Sequence, residues 1–342
     1  MQRFFGLLDR DQEFRSILRG MEGFQHQQAV YGLSGSQKGF VLAALMQKTN
    51  RPFLVVTHSE EAASELTENI CALLPERKVA MFPVLEWLPY QVLGRSREIE
   101  GKRLAVLEQL LQGENLIIVT TVQAVERLLV PKQKWASLCR RFQVGEVYEL
   151  GAILDDLLTM GYERVDILEG PGQFAVRGGI LDIFPLTKEP LRMEFFDDEL
   201  DTIRIVNPST LRSTQQIHNV NLVPARELPI SWEEVNKNWA SIKSFAQKVV
   251  NRLTKTASEA ADRLKQHLDS LDEKVGQGVF DQALEQFAGF FYPKMETLFD
   301  YLLSETVVVL DEAMRLKEYM DFTGRERAEE HLNLLQAGQV FA

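Results

Sequence analysis

The segment Gly32-Leu33-Ser34-Gly35-Ser36-Gln37-Lys38-Gly39 places a lysine among glycines at almost the spacing that cradles a triphosphate. In the full pattern, glycine backbone amides wrap the phosphates, the lysine reaches the terminal ones, and a hydroxyl just after it holds Mg²⁺. Gly32, Gly35 and Lys38 are in place, but Gln37 stands where glycine lets the backbone approach phosphate, and Gly39 stands where the metal-binding hydroxyl belongs. Both departures fall on nucleotide chemistry, whereas the residues that shape the turn survive. The stretch therefore reads as a retained loop that has lost its ligand. A Gly/Ser turn that never bound phosphate fits the same letters.

Far downstream, "VVVLDEA" (Val307 to Ala313) is an apolar run ending in Asp311-Glu312. In P-loop motor domains such a strand end supplies the carboxylate that holds Mg²⁺ and the one that orients the attacking water. Buried strands ending in acidic residues are common, so the pair gains meaning only beside the Gly32 loop. Together they are what a motor-type domain would leave behind after losing its ATPase function. A salt link from Lys38 to Asp311 and Glu312, holding the empty loop closed, is expected. No catalytic residue is assigned. His26, His58, His218, His267 and His331 never occur at metal-ligand spacing, so no metal is expected. Cys71 and Cys139 read as buried free thiols of a reducing cytosol.

The elements that must position these residues follow from periodicity. "RPFLVVTHS", "KVAMFPV" and "NLIIVTTVQAV" are β-branched runs of the kind buried on both faces of a parallel sheet. Between the first two, Ser59 to Leu74 opens with a serine cap and glutamates, then sets Ala63, Leu66, Ile70 and Leu73 on one helical face. Residues 1–140 thus form the first part of an α/β domain. Residues 145–228 alternate with period two and carry turn signals at Gly178-Gly179, Asp197-Asp198 and Asn207-Pro208, which predicts a small β-rich insertion with a short helix at Ala152 to Tyr162. Its clearest hairpin is "LRMEFF-DD-ELDTIRI", with Leu191, Met193 and Phe195 on one face. No Gly or Pro interrupts Ser231 to Val275, so one or two long helices open the second α/β part, 229–320, which closes on the Asp-Glu strand. Residues 321–342 read as a linker toward the remainder of a longer protein.

A chain of 342 residues with 38 basic and 49 acidic side chains, net −11, is two or three globular domains and not a surface that grips nucleic acid everywhere. Local basic patches stay open. Arg95, Arg97, Lys102 and Arg103 are interleaved with Glu98, Glu100 and Glu108, as on a solvated helix face. Trp87 and Tyr90 read as packing. Nothing is long and apolar enough to enter a membrane.

In order, "GLSGSQKG", "RVDILEGPGQFAVRGGILDIFP", "MEFFDDELDTIR" and "FYPKMETLFDYLLSETVVVLDEA" resemble the UvrB-homology module at the N-terminus of bacterial transcription-repair coupling factors. The resemblance runs from about Gln28 to Leu316. It implies a helicase-like parallel-sheet domain with a degenerate P-loop and an inserted α+β domain that binds UvrA, the damage-recognition ATPase of nucleotide excision repair. The positions matching the UvrA contact are Arg164, Phe174 and Arg177; Ala175 stands where UvrB has a further arginine. The aromatic hairpin with which UvrB grips DNA is not evident between "PVLEWLPYQVLGRSREIEGKRL" and "NLIIVTT". By the same resemblance this chain is cytoplasmic, non-catalytic and without cofactor, ATP and Mg belonging to translocase domains elsewhere in the full-length protein. Further implied partners are RNA polymerase, double-stranded DNA and an intramolecular C-terminal domain that masks the UvrA surface. The competing readings are an active P-loop ATPase or helicase half, and a weak DNA-binding module.

Overall fold

The computed structural model describes residues 2–23, 27–85, 96–208, 210 and 212–341. His26, Trp87, Tyr90 and Arg95 lie outside them. The chain order is α1 (Gln2–Leu8), α2 (Gln12–Glu22), α3 (Ser36–Thr49), β1 (Phe53–Thr57), α4 (Glu60–Leu73), β2 (Lys78–Phe82), α5 (Arg97–Leu111), β3 (Leu116–Thr121), α6 (Val122–Val125), α7 (Lys132–Leu138) and β4 (Arg140–Gln143). There follow α8 (Leu150–Thr159), β5 (Glu163–Arg164), β6 (Gln173–Arg177), β7 (Ile180–Phe184), β8 (Leu191–Phe196), β9 (Glu199–Val206), β10 (Ser213–Ile217) and β11 (Asn219–Leu222). The last part holds α9 (Trp232–Leu253), α10 (Ser258–Gly276), α11 (Ala288–Phe291), α12 (Leu298–Tyr301), β12 (Val307–Leu310) and α13 (Ala313–Gln336).

Two compact units result, one of residues 1–84, 112–126 and 302–319, the other of 85–111, 127–301 and 320–342. In the first, a parallel sheet runs in the order β12-β1-β3-β2, as the β-branched runs predict. Its central strands β1 and β3 are buried throughout because helices need a doubly covered sheet. β12 departs from the expected buried strand. As an edge it turns Val307 and Val309 toward the core and leaves Val308 and Leu310 exposed. Ser59 caps α4 by accepting from the Ala62 N–H at 3.2 Å, and Ala63, Leu66 and Ile70 are buried as expected.

In the second unit a six-stranded sheet runs β10-β9-β8-β7-β6-β5, antiparallel except for the β5–β6 pair. The β8–β9 hairpin turns at Asp197, whose φ of 54° is the left-handed value a tight hairpin demands. Leu191 and Met193 enter the core; a bulge after Glu194 leaves Phe195 only partly buried. Ile153 and Leu157 of α8 complete that core. The long helices α9 and α10 appear where predicted, α9 opened by a capping box between Ser231 and Glu234. They group with the β-rich unit, however, and not with the parallel sheet. The segment 321–342 is also more than a linker: α13 runs to Gln336, and beyond it Phe341 is fully buried, 5.5 Å from the Phe287 ring and 5.8 Å from His267.

Cys139 is half-buried and burial pushes its thiol up to about 11, so it is inert near neutrality, whereas Cys71 is exposed, contrary to expectation. Arg103 is not part of a solvated face either. It is buried, paired with Glu227, which also accepts from Arg127 at 3.2 Å. No helix among the described residues is long and apolar enough to cross a membrane, and no group of His, Cys, Asp or Glu there could hold a metal ion.

Candidate functional site

The glycine loop leads into α3, with Gly32 at φ 86° and Gly35 at φ 50°, both in the left-handed region where a Cβ is disfavoured. Among the described residues no strand precedes it, so the strand-loop-helix frame of a phosphate loop is incomplete. The groups a phosphate would need are engaged internally. The Ser34 N–H donates to Gln37 Oε1 at 3.3 Å, so the Gln37 side chain satisfies a loop amide itself. Lys38 Nζ sits 2.9 Å from Asp311 Oδ1 and 2.5 Å from Glu312 Oε1, and Arg315 reaches Glu312 at 3.1 Å. The Asp311 N–H, donating to Val56 O at 2.9 Å, anchors the acidic pair to the end of β1. The expected salt link is therefore present. Gly39 is buried where α3 meets α4, and a Cβ there would come within 3.3 Å of Asn69 Cβ. A side chain there would be crowded, and glycine offers no hydroxyl at that position.

Electrostatics agree with the geometry. Burial pulls the Lys38 ammonium down, but its hydrogen bonds to Glu312 and Asp311 outweigh this and raise it. Hydrogen bonds from Lys38 and then Arg315 lower the Glu312 carboxyl to about 2. A carboxyl depressed in the folded state adds stability that is complete above the ordinary carboxylate range and is lost as pH falls toward 2. With its side chain 39% exposed, solvent screening keeps that contribution small. In a carboxyl-resolved NMR titration Glu312 is expected to protonate near pH 2, and Lys38→Ala to move the midpoint up toward the usual range. A midpoint unmoved by the substitution would mean the ion pair does not form in solution.

The second cluster lies at the β5–β6 edge of the six-stranded sheet. Arg164 is exposed on β5 and Arg177 is exposed at the end of β6, its Nη2 donating to Asp166 O at 2.8 Å. That bond uses one of five guanidinium donors and leaves the fork open for a partner's carboxylate. Ile180, in register with Arg177 and 38% exposed, and Ile167 beside Asp166 in the chain, 57% exposed, add apolar area. Sequence reading passed over both; Ile180 falls on the outward face by the same alternation that sends Leu181 and Ile183 inward.

Phe174 is elsewhere. It is fully buried, packed in the core with Leu157, Leu181 and Met193, so it cannot itself touch a partner on this surface and can only support the strand. The alternation of β6 requires this, because Phe174 and Arg177 point to opposite faces. Ala175 shares Arg177's face but is 5% exposed. It registers with Asp182, whose carboxylate is held bidentately by Arg192 at 2.7 and 2.8 Å. Gln173 is similarly occupied, accepting from the Glu169 and Gly170 N–H groups. The open part of the face is thus the Arg177 end; Arg164, in register with Phe174, is exposed at the β5 edge on the other side of the sheet.

The family described as UvrB interaction domain matches residues 141–228, which is the β-rich stretch bearing Arg164 and Arg177. The chain is also 35% identical over 329 residues to the transcription-repair-coupling factor of Bacillus subtilis (strain 168), covering 96% of this chain and 28% of that protein. Transcription-repair-coupling factors of Staphylococcus epidermidis and Staphylococcus aureus (strain MRSA252) are 28% and 27% identical, each covering 91% of this chain and 26% of theirs. The chain thus spans about a quarter of the length of these relatives.

Proposed function

We propose, from the premise that this chain carries a UvrB interaction domain and is homologous to a segment of the transcription-repair-coupling factors, that it is a non-catalytic adaptor which docks UvrA through the β5–β6 edge bearing Arg164 and Arg177. The single observation that carries the reading is that this sheet edge, inside the matched domain, presents two exposed arginines, neither in an ion pair among the described residues, beside exposed isoleucines. Arginine beside apolar area is the composition of interface anchors. The cytoplasm is the compartment this implies. In the longer protein the adaptor would bring UvrA to RNA polymerase stalled on double-stranded DNA, with translocase domains elsewhere supplying the ATP and Mg chemistry and a C-terminal domain masking the UvrA surface at rest.

Loss of nucleotide binding in this chain is part of the same proposal. It is supported by Gln37 on the Ser34 amide, by Lys38 held between two carboxylates, and by glycine in place of the Mg²⁺ hydroxyl. The reading of an active ATPase half would require both ion pairs of Lys38 to break on binding. The test of the adaptor is UvrA capture by the wild-type chain and by Arg164→Ala and Arg177→Ala. Each truncation is expected to cost about 2 kcal/mol of binding, with the folded fraction unchanged. Undiminished capture by both variants would place the contact elsewhere.

A further inference from the structure

In a chain of net charge −11, the stretch Val235–Ser258 contains Lys237, Lys243, Lys248, Arg252 and Lys255 and not one carboxylate. Glu233 and Glu234 precede it and Glu259 follows it. It is almost wholly α9, whose inner face buries Val235, Trp239, Ile242, Ala246 and Val250. Lys237, Lys248, Arg252 and Lys255 are all exposed; the spacings of eleven and four residues between the first three are helical multiples, so these line one stripe opposite the buried one, and Lys255 follows in the turn just after the helix ends at Leu253. Ala240, Ser241, Ser244, Gln247, Asn251 and Thr254 are the other exposed residues between them. Lys243 lies apart from the stripe, paired with Asp272 of α10 at 3.0 Å. Among the described residues these four cations enter no ion pair, although carboxylates outnumber cations over the chain as a whole. Such segregation is the electrostatic footprint of a polyanion partner.

We propose that the exposed stripe of α9 binds the phosphate backbone of double-stranded nucleic acid, with duplex DNA as the ligand. From Lys237 to Arg252 the stripe is about 22 Å of straight helix at 1.5 Å per residue, and lysine, arginine, serine and asparagine are the side chains that reach phosphate oxygens. No apolar residue is exposed on it apart from Ala240, so it has no face to bury in a lipid interface. Nor does it offer a stacking platform for single strands. Trp239 is buried and donates to Asp272 at 2.7 Å, while Phe245 packs on Phe290 at 5.6 Å. The contact is sequence-independent and independent of the arginine-bearing edge described above.

The test is fluorescence anisotropy of a labelled 20-base-pair DNA duplex titrated with the intact chain at several salt concentrations. Four phosphate contacts give a slope of log affinity against log salt of about −3.6, and a loss on the order of 100-fold between 50 and 200 mM. Lys248→Ala with Arg252→Ala should flatten that slope by about 1.8, with the helical circular-dichroism signal preserved because both positions are exposed and alanine favours helix. Arg177→Ala should leave duplex binding unchanged, which separates this result from that of UvrA capture. No salt-dependent duplex binding, a slope indifferent to the double substitution, or equal binding of polyglutamate would each overturn the proposal.

Discussion

Replacing Glu227 by alanine is expected to destabilise the second unit by about 3–5 kcal/mol, the cost of leaving a buried cation without its partner. Arg103, fully buried on α5, has Glu227 as its partner through both Nε and Nη2, and Arg127 shares the same carboxylate. The Glu227 N–H in turn faces the Glu100 carboxylate at 3.4 Å. Burial raises the Glu227 carboxyl, but the two guanidinium groups outweigh this and lower it, so the carboxylate stays charged at neutral pH. The measurement is the midpoint of urea unfolding at constant slope. Removing both charges together, Arg103→Met with Glu227→Leu, should recover much of the loss, since a hydrophobic pair of similar volume is often neutral where a broken pair is not. If Glu227→Ala unfolds at the wild-type midpoint, the buried network is not holding α5 to the strand-to-helix junction at 222–231.

Phe174→Ala should also cost about 3–5 kcal/mol, as a large cavity in a well-packed core, and it separates scaffold from contact on a single strand. Phe174 is buried among Leu157, Leu181 and Met193, whereas Arg177, three residues on, is exposed. Arg177→Ala should therefore leave stability within about 0.5 kcal/mol of wild type, as surface substitutions usually do. The two variants exchange phenotypes: Phe174→Ala lowers the unfolding midpoint and reduces UvrA capture only through its unfolded fraction, while Arg177→Ala does the reverse. A stable Phe174→Ala chain with weak UvrA affinity would mean that the phenyl ring reaches the surface.

What the sequence disclosed, and what it concealed, follows the range of the interactions involved. The strands β1, β2 and β3, the capped helix α4 and the Asp197-Asp198 hairpin rest on local periodicity and turn chemistry, and they appear where those signals place them. The Lys38 link to Asp311 and Glu312 spans more than 270 positions, yet it was legible because two partial motifs of one fold implied each other. The Arg103–Glu227 pair spans 124 positions with no motif at either end, so Arg103 looked like one more solvated charge. Alternation put Phe174 and Arg177 on opposite faces from the start, but the family pattern joined them as contact residues, and only burial separates core from surface. The tail around Phe341 was opaque because one buried aromatic after a polar helix carries no periodic signal.

The most direct measurement of the account is a calorimetric titration of UvrA into the wild-type chain, Arg177→Ala and Lys38→Ala. The adaptor reading predicts an affinity about 30-fold weaker for Arg177→Ala, equivalent to about 2 kcal/mol, and an affinity for Lys38→Ala equal to wild type. Equal binding by Arg177→Ala, or a loss on Lys38→Ala as large as that expected for the arginine, would contradict it.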